Sequence, residues 1–195
     1  HYAVHTPIQG RKDLVEKYRK KITPGHRHRN PQYAAMVESV DESVGRVVST
    51  LGRLGLSEKT LIVFTSDNGG LIHVRNGPTD NRPLRAGKGS AYEGGVRVPA
   101  IVSWPGHVKP GVTSREPVIT CDWHPTILEV AGVPRDTRQN DGIDGVSLVP
   151  LLTPSRGVVN HRDLFWHYPH YHRGGATPYS AIRSGPWRLV EFYED

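Results

Sequence analysis

At 195 residues, 36% hydrophobic and 23% charged, the chain has the length and balance of one soluble globular domain, and its 21 glycines and 16 prolines assign much of it to loops. The net charge of +6 admits an anionic partner, while the single cysteine, Cys121, excludes an internal disulfide framework or a cysteine-rich zinc site and reads as a packed thiol. No run of about 18 apolar residues is present to span a membrane, and the start, HYAVHTPIQG, has neither a Met nor the parts of a signal peptide, which points to an internal cut.

In chain order, residues 1–8 read as the end of a strand that runs into a loop at Pro7, and RKDLVEKYRKK at 11–21 as a short basic helix. From Pro31 the apolar positions Tyr33, Met36, Val37, Val40, Val44, Val47, Val48, Leu51 and Leu54 step by three and four, which predicts a long amphipathic helix ending at Gly55. LIVFT at 61–65 is a run of strand formers of the kind covered on both faces, and it stops at the turn Asp67-Asn68-Gly69-Gly70. A long loop rich in Gly, Pro and Asn extends to about Gly95, and PAIVSW at 99–104 forms a second apolar strand. Residues 122–131 form a helix with Asp122 as N-cap and Gly132 as its stop. The turn-rich DGIDGVSLVPLL and the aromatic, histidine-rich FWHYPHYHRGG follow, and SAIRS and WRLVEFY around Gly185-Pro186 predict a small antiparallel unit. Helix, strand, strand, helix with apolar strands is an α/β order.

In such a sheet ligands gather beyond the carboxyl ends of the strands, where Asp67 and Asn68 stand. A carboxylate and an amide are hard oxygen donors suited to calcium or magnesium, but those cations want about six to eight oxygens, so the rest must come from elsewhere. From these residues alone an Asx turn that ends the strand is the competing reading. In PLRAGKGSAYEGG the glycines around Lys88 let the backbone come close to a ligand while the ammonium offers a compact charge to an oxyanion; a solvated lysine is the bland alternative.

These stretches, with VHTPIQ, YAAMVESVDESVGRVVSTLGRLGL, WHPTILEVAGV and AIRSGPWRLVEF, resemble the sulfatase family of the alkaline-phosphatase-like superfamily, in family order and over most of the chain. The resemblance implies an incomplete α/β sandwich, a mostly parallel sheet flanked by helices, with the catalytic part at 1–165 and the start of a small antiparallel C-terminal subdomain at 166–195. It implies that Asp67 and Asn68 ligate a calcium ion, that Lys88 and His5 contact the sulfate, and that a formylglycine carries the nucleophile. That residue belongs to a C/S-x-P-x-R signature expected upstream of this chain, with two further Asp ligands; LTPSR at 152–156 imitates it with leucine at the reactive position. The isolated 195 residues are therefore expected to be inactive and to bind calcium weakly or not at all.

His73, Arg82 and Arg85 in the long loop are candidate substrate contacts, and Tyr92, Glu93 and Arg97 read as braces. In the cluster His167, His170, His172, Arg173 the spacings suit no helical metal pair; a rim touching an anionic sugar, with His170 as its contact, competes with a packed aromatic loop. The substrate implied is an aryl or carbohydrate sulfate, and the full-length protein is expected to be exported to a periplasm, lysosome or medium. The alternatives are a phosphatase or phosphodiesterase with two metals and a non-catalytic binder of sulfated glycan. A nucleic-acid module is not supported, because the basic residues at 11–29 are not interleaved with a series of stacking aromatics, Tyr18 standing alone, and no nucleic-acid motif is visible.

Overall fold

The computed structural model describes residues 2–72, 78–134, 142–153, 159, 162–172 and 176–194. Residues 2–7 form turns, with the His5 amide donating to Tyr2 O at 3.0 Å, so the strand expected before Pro7 is absent among them. Helix α1 (Lys12–Lys21) buries Leu14 and Val15 against Ala35 of α2 (Pro31–Arg53), where Gly10 lets the incoming backbone touch that helix. Asn30 caps α2 by accepting from the Tyr33 amide at 3.1 Å, ahead of a proline at the first helical position. At the other end Gly55, at φ 66°, closes a Schellman motif in which Leu56 N donates to Leu51 O.

The apolar stripe of α2 is only partly used. Met36 is 2% exposed, whereas Val37, Val47, Val48 and Leu54 lie open. The reason is length: α1, at about 15 Å, cannot cover a 23-residue helix of about 35 Å.

Strands β1 (Ile62–Thr65) and β2 (Ala100–Ser103) pair antiparallel, with Thr65 opposite Ala100 and Ile62 opposite Ser103. The parallel pairs expected of the sheet are not found among the described residues. A parallel neighbour needs a crossover that returns the chain to the start of β1. Here the described residues of 66–99 contain one short helix, α3 (Glu93–Val96), and bond back to the carboxyl end of β1 through Gly69–Gly95 and Lys88–Gly70, so β2 begins where β1 stops. Nor is β1 covered on both faces, since Phe64 and, on β2, Ile101 are exposed.

Helix α4 (Trp123–Val130) ends as expected at Gly132, φ 64°, in a second Schellman motif from Val133 N to Leu128 O. Asp122 is fully buried but does not cap α4. Its carboxylate accepts from the amides of Ile119 at 2.9 Å and Val146 at 3.0 Å and pairs with Arg162, because the chain just before α5 (Val149–Leu152) packs over it. Neighbouring Cys121, expected to be packed, is exposed.

The C-terminal sheet has three antiparallel strands, β3 (Leu164–Tyr168), β4 (Tyr179–Ser184) and β5 (Trp187–Phe192), in that order. The hairpin at Gly185-Pro186 is the expected one, with glycine at φ 54° first and proline second, the order of a type II′ turn. Strand β3 comes from the histidine-rich stretch that the sequence assigned to a loop, and it begins two residues before the expected subdomain start.

Candidate functional site

The turn after β1 is held by backbone packed on backbone. Gly69 N donates to Gly95 O at 2.8 Å, and Lys88 N donates to Gly70 O at 3.0 Å. A Cβ on Gly69 would sit 1.7 Å from Gly94 O, one on Gly87 2.4 Å from Gly70 O, and one on Gly94 2.1 Å from Ala86 O. The glycines of SDNGG, GKG and EGG are therefore a close-packed unit that fixes Lys88 beside the end of β1. Asn81 Nδ2 locks this unit by donating to Gly70 O at 2.8 Å, Ala86 O at 3.1 Å and Gly94 O at 3.3 Å. Nothing in the sequence singled Asn81 out, since its acceptors are set only by the folded loop.

At the strand end Asp67 is exposed, and the Asn68 amide lies against it, donating to Oδ1 at 2.8 Å. The carboxylate and amide side by side, with no thiolate or imidazole bonded to either among the described residues, make a donor set that fits a hard cation. Among the described residues no group of three or more His, Cys, Asp or Glu converges as a metal site. The Lys88 ammonium has no protein partner among the described residues, which leaves its charge available to an anion.

The C-terminal sheet buttresses the lysine loop. Ala91 is buried with Tyr179 and Ala181, and Arg85 lies over the Tyr92 ring at 3.8 Å. Glu93 accepts from Arg188 at 3.1 Å and Arg183 at 3.5 Å and pairs with Arg97 at 3.6 Å, the bracing role read for it in the sequence. Arg188 also lies over Trp166 at 4.4 Å, and burial pushes its guanidinium below its ordinary pKa. The His172 ring stands against Gly89, whose φ of 85° and missing side chain make room for it.

His172, not the neighbouring His170, thus meets the lysine loop; His170 is exposed and edge-on to Tyr168 at 5.5 Å. His5 is exposed, and its Nδ1 lies 2.9 Å from Thr6 O; no bond joins it to Asp67, Asn68 or Lys88 among the described residues. Arg82 grips Asp80, Nε lying 2.9 Å from each carboxylate oxygen, and those bonds hold the Asp80 carboxyl well below its ordinary 3.8. A lowered pKa means that the pair persists above the ordinary value and is lost only as pH falls through the depressed one. His73 and most of LTPSR lie outside the described residues. Besides LTPSR, which imitates the signature, Ser184-Gly185-Pro186-Trp187-Arg188 matches S-x-P-x-R letter for letter. In the fold it is the β4–β5 hairpin, with Ser184 opposite Trp187 and Arg188 on Glu93, so the letters serve a turn and a brace.

A family model described as Sulfatase matches residues 2–133, and one described as N-sulphoglucosamine sulphohydrolase, C-terminal, matches residues 87–195. A sulfatase of Formosa agariphila is 39% identical over the whole chain, which covers 37% of that protein, and bovine arylsulfatase A is 39% identical over 87% of the chain and 32% of its own length. Among solved structures, Ps i-CgsB in complex with k-i-k-neocarrahexaose superposes with a TM-score of 0.82 at 31% identity, covering 99% of this chain and 40% of that one. The chain thus spans between about a third and two fifths of the length of these relatives.

Proposed function

The chain belongs to the sulfatase family, and from that premise we propose that the full-length protein hydrolyses sulfate esters of a carbohydrate or aryl alcohol, with this chain supplying one side of the sulfate site. The observation that carries the reading is the glycine-packed loop that bonds the Lys88 backbone to the turn following Asp67 and Asn68, with the lysine ammonium unpaired among the described residues. In this reading Asp67 and Asn68 hold a calcium ion, which when bound supplies positive charge for the sulfate oxygens and polarises the ester. Lys88 adds a second cation to that developing charge, and the loop's backbone packing keeps it there without reorganisation. His5 is assigned to the sulfate ester by its place in VHTP. The nucleophile is assigned to a formylglycine outside these 195 residues. A carbohydrate is favoured as the alcohol because relatives of known structure carry one: neocarrahexaose in Ps i-CgsB and, at a TM-score of 0.69 and 30% identity, D-glucosamine-2-N,6-O-disulfate in BT4656, of which the chain covers 37%.

The test is sulfate release by the full-length protein from an aryl sulfate and from sulfated oligosaccharides, with and without a calcium chelator. Lys88→Ala is expected to lower kcat by about 10²–10³, the usual effect of removing one group that stabilises transition-state charge. Turnover of phosphate esters in preference to sulfate esters, with two zinc ions found by metal analysis, would replace this reading with that of a two-metal phosphatase.

A further inference from the structure

We infer that a second anion-binding subsite lies beside Lys88, in the cleft where the 23–29 loop faces the 79–86 loop, and that it takes an oxyanion, sulfate or carboxylate, on a sugar next to the one that carries the scissile sulfate. The inference rests on the sulfatase reading for the identity of the neighbouring group, and on the cleft itself for the charge. The cleft has a volume of about 520 Å³ and is lined by Arg27, Arg82, Arg85, Asp80 and Asn81 among others, so three arginines and one aspartate contribute to its walls. Its size falls in the range of small-molecule sites, roughly 300–1,000 Å³.

Each arginine is held differently, and each keeps N–H donors to spare. Asp80 takes Nε and Nη2 of Arg82 and so fixes the plane of that guanidinium, leaving Nη1. Arg85 lies on the face of Tyr92, an arrangement that leaves the guanidinium edge available for hydrogen bonds. Arg27 makes no hydrogen bond or ion pair among the described residues, although its charge reaches Asp80. Its loop is nonetheless built: Arg29 Nε donates to His26 O at 2.6 Å and its Nη2 to Pro24 O, while Thr23 N donates to His26 Nδ1 at 3.2 Å. An ordered loop that spends one arginine on its own carbonyls and points another at an arginine-lined cleft is arranged to receive negative charge.

The cleft also connects to the sulfate side. Asn81 in its wall donates to Gly70 O, the same carbonyl that accepts from the Lys88 amide, so one backbone oxygen joins the two anion sites. An oligosaccharide with anionic groups on successive sugars therefore spans both.

The experiment compares the full-length protein with Arg27→Glu on three substrates: an aryl sulfate, a disulfated oligosaccharide and a monosulfated oligosaccharide bearing a uronate on the adjacent sugar. The ratio of kcat/KM on the oligosaccharide to that on the aryl sulfate is expected to fall at least tenfold in the variant, through KM, and the fall should shrink as salt is added. A fall on the disulfated substrate alone names the second group as sulfate, and a fall on the uronate alone names it as carboxylate; an unchanged ratio on both overturns the subsite. If the wild-type protein hydrolyses none of the three, the sulfatase reading fails, and titration with the same oligosaccharides still decides the cleft. A Kd raised at least tenfold by Arg27→Glu supports it, and an equal Kd overturns it.

Discussion

Asn81 ties the loop together, because its one side-chain NH2 lies within hydrogen-bond distance of carbonyls from three separate turns, Gly70, Ala86 and Gly94. Replacing it with leucine leaves Ala86 O and Gly94 O without that donor, while Gly70 O keeps the Lys88 amide, and the cost is about 1–3 kcal/mol for an acceptor left unsatisfied. We expect Asn81→Leu to lower the urea midpoint accordingly and to speed hydrogen exchange at the Gly69 and Lys88 amides, which bond across the same unit. Unchanged exchange at those two amides would show that the glycine packing suffices alone. The positions of the candidate residues were legible in the sequence where they are written locally: Asp67 and Asn68 follow the end of a strand, and Lys88 sits between glycines. Asn81, Arg27 and the contact of His172 with Gly89 were not legible, because each depends on partners that only the fold brings near.

Elements announced themselves where their ends carry a backbone signal. Both Schellman glycines, Gly55 and Gly132, and the Gly185-Pro186 hairpin stand where the sequence put them, since positive φ favours glycine and proline fixes its own φ. Strand β3 was missed because Pro169 and the histidines around it break its pattern, and its pairing is supplied by β4 rather than by its own residues. The two kinds of glycine separate in a substitution series. Gly132 faces open space, so Gly132→Ala should cost about 1 kcal/mol for the left-handed backbone alone. Gly94 has an ordinary helical place, but its Cβ would meet the backbone oxygens of Ala86 at 2.1 Å and Arg85 at 2.5 Å, neither of which is a flexible side chain. Gly94→Ala should therefore exceed Gly132→Ala in lost stability by denaturant titration, with overpacking of this kind costing about 1–3 kcal/mol or more. Equal costs would mean that the loop yields to an added methyl and does not hold Lys88 rigidly.

At the scale of the molecule, apolar surface lies open on both sheets as well as on α2. The solvent face of the C-terminal sheet carries Phe165, Leu189 and Trp187 at 67%, 67% and 79% exposure, with Phe165 and Leu189 both opposite Ile182, and the β1–β2 ladder exposes Ile101 at 61%. Clustered apolar surface of this kind marks contacts with other structure rather than ordinary surface scatter. The relatives run to more than twice the chain's length, so there is protein in them with which such faces can pack. If Ile101 is covered in the full-length protein, Ile101→Lys there buries an unpaired charge and should destabilise by several kcal/mol, or shift the protein into aggregates. In the isolated 195-residue chain the same substitution touches an exposed position, should change stability by less than about 0.5 kcal/mol, and should reduce binding of a hydrophobic dye. The contrast between the two backgrounds is the measurement. A full-length protein that tolerates Ile101→Lys as readily as the isolated chain would show that this ladder faces water in both, and that the covered sheet implied by the family resemblance does not extend over β2.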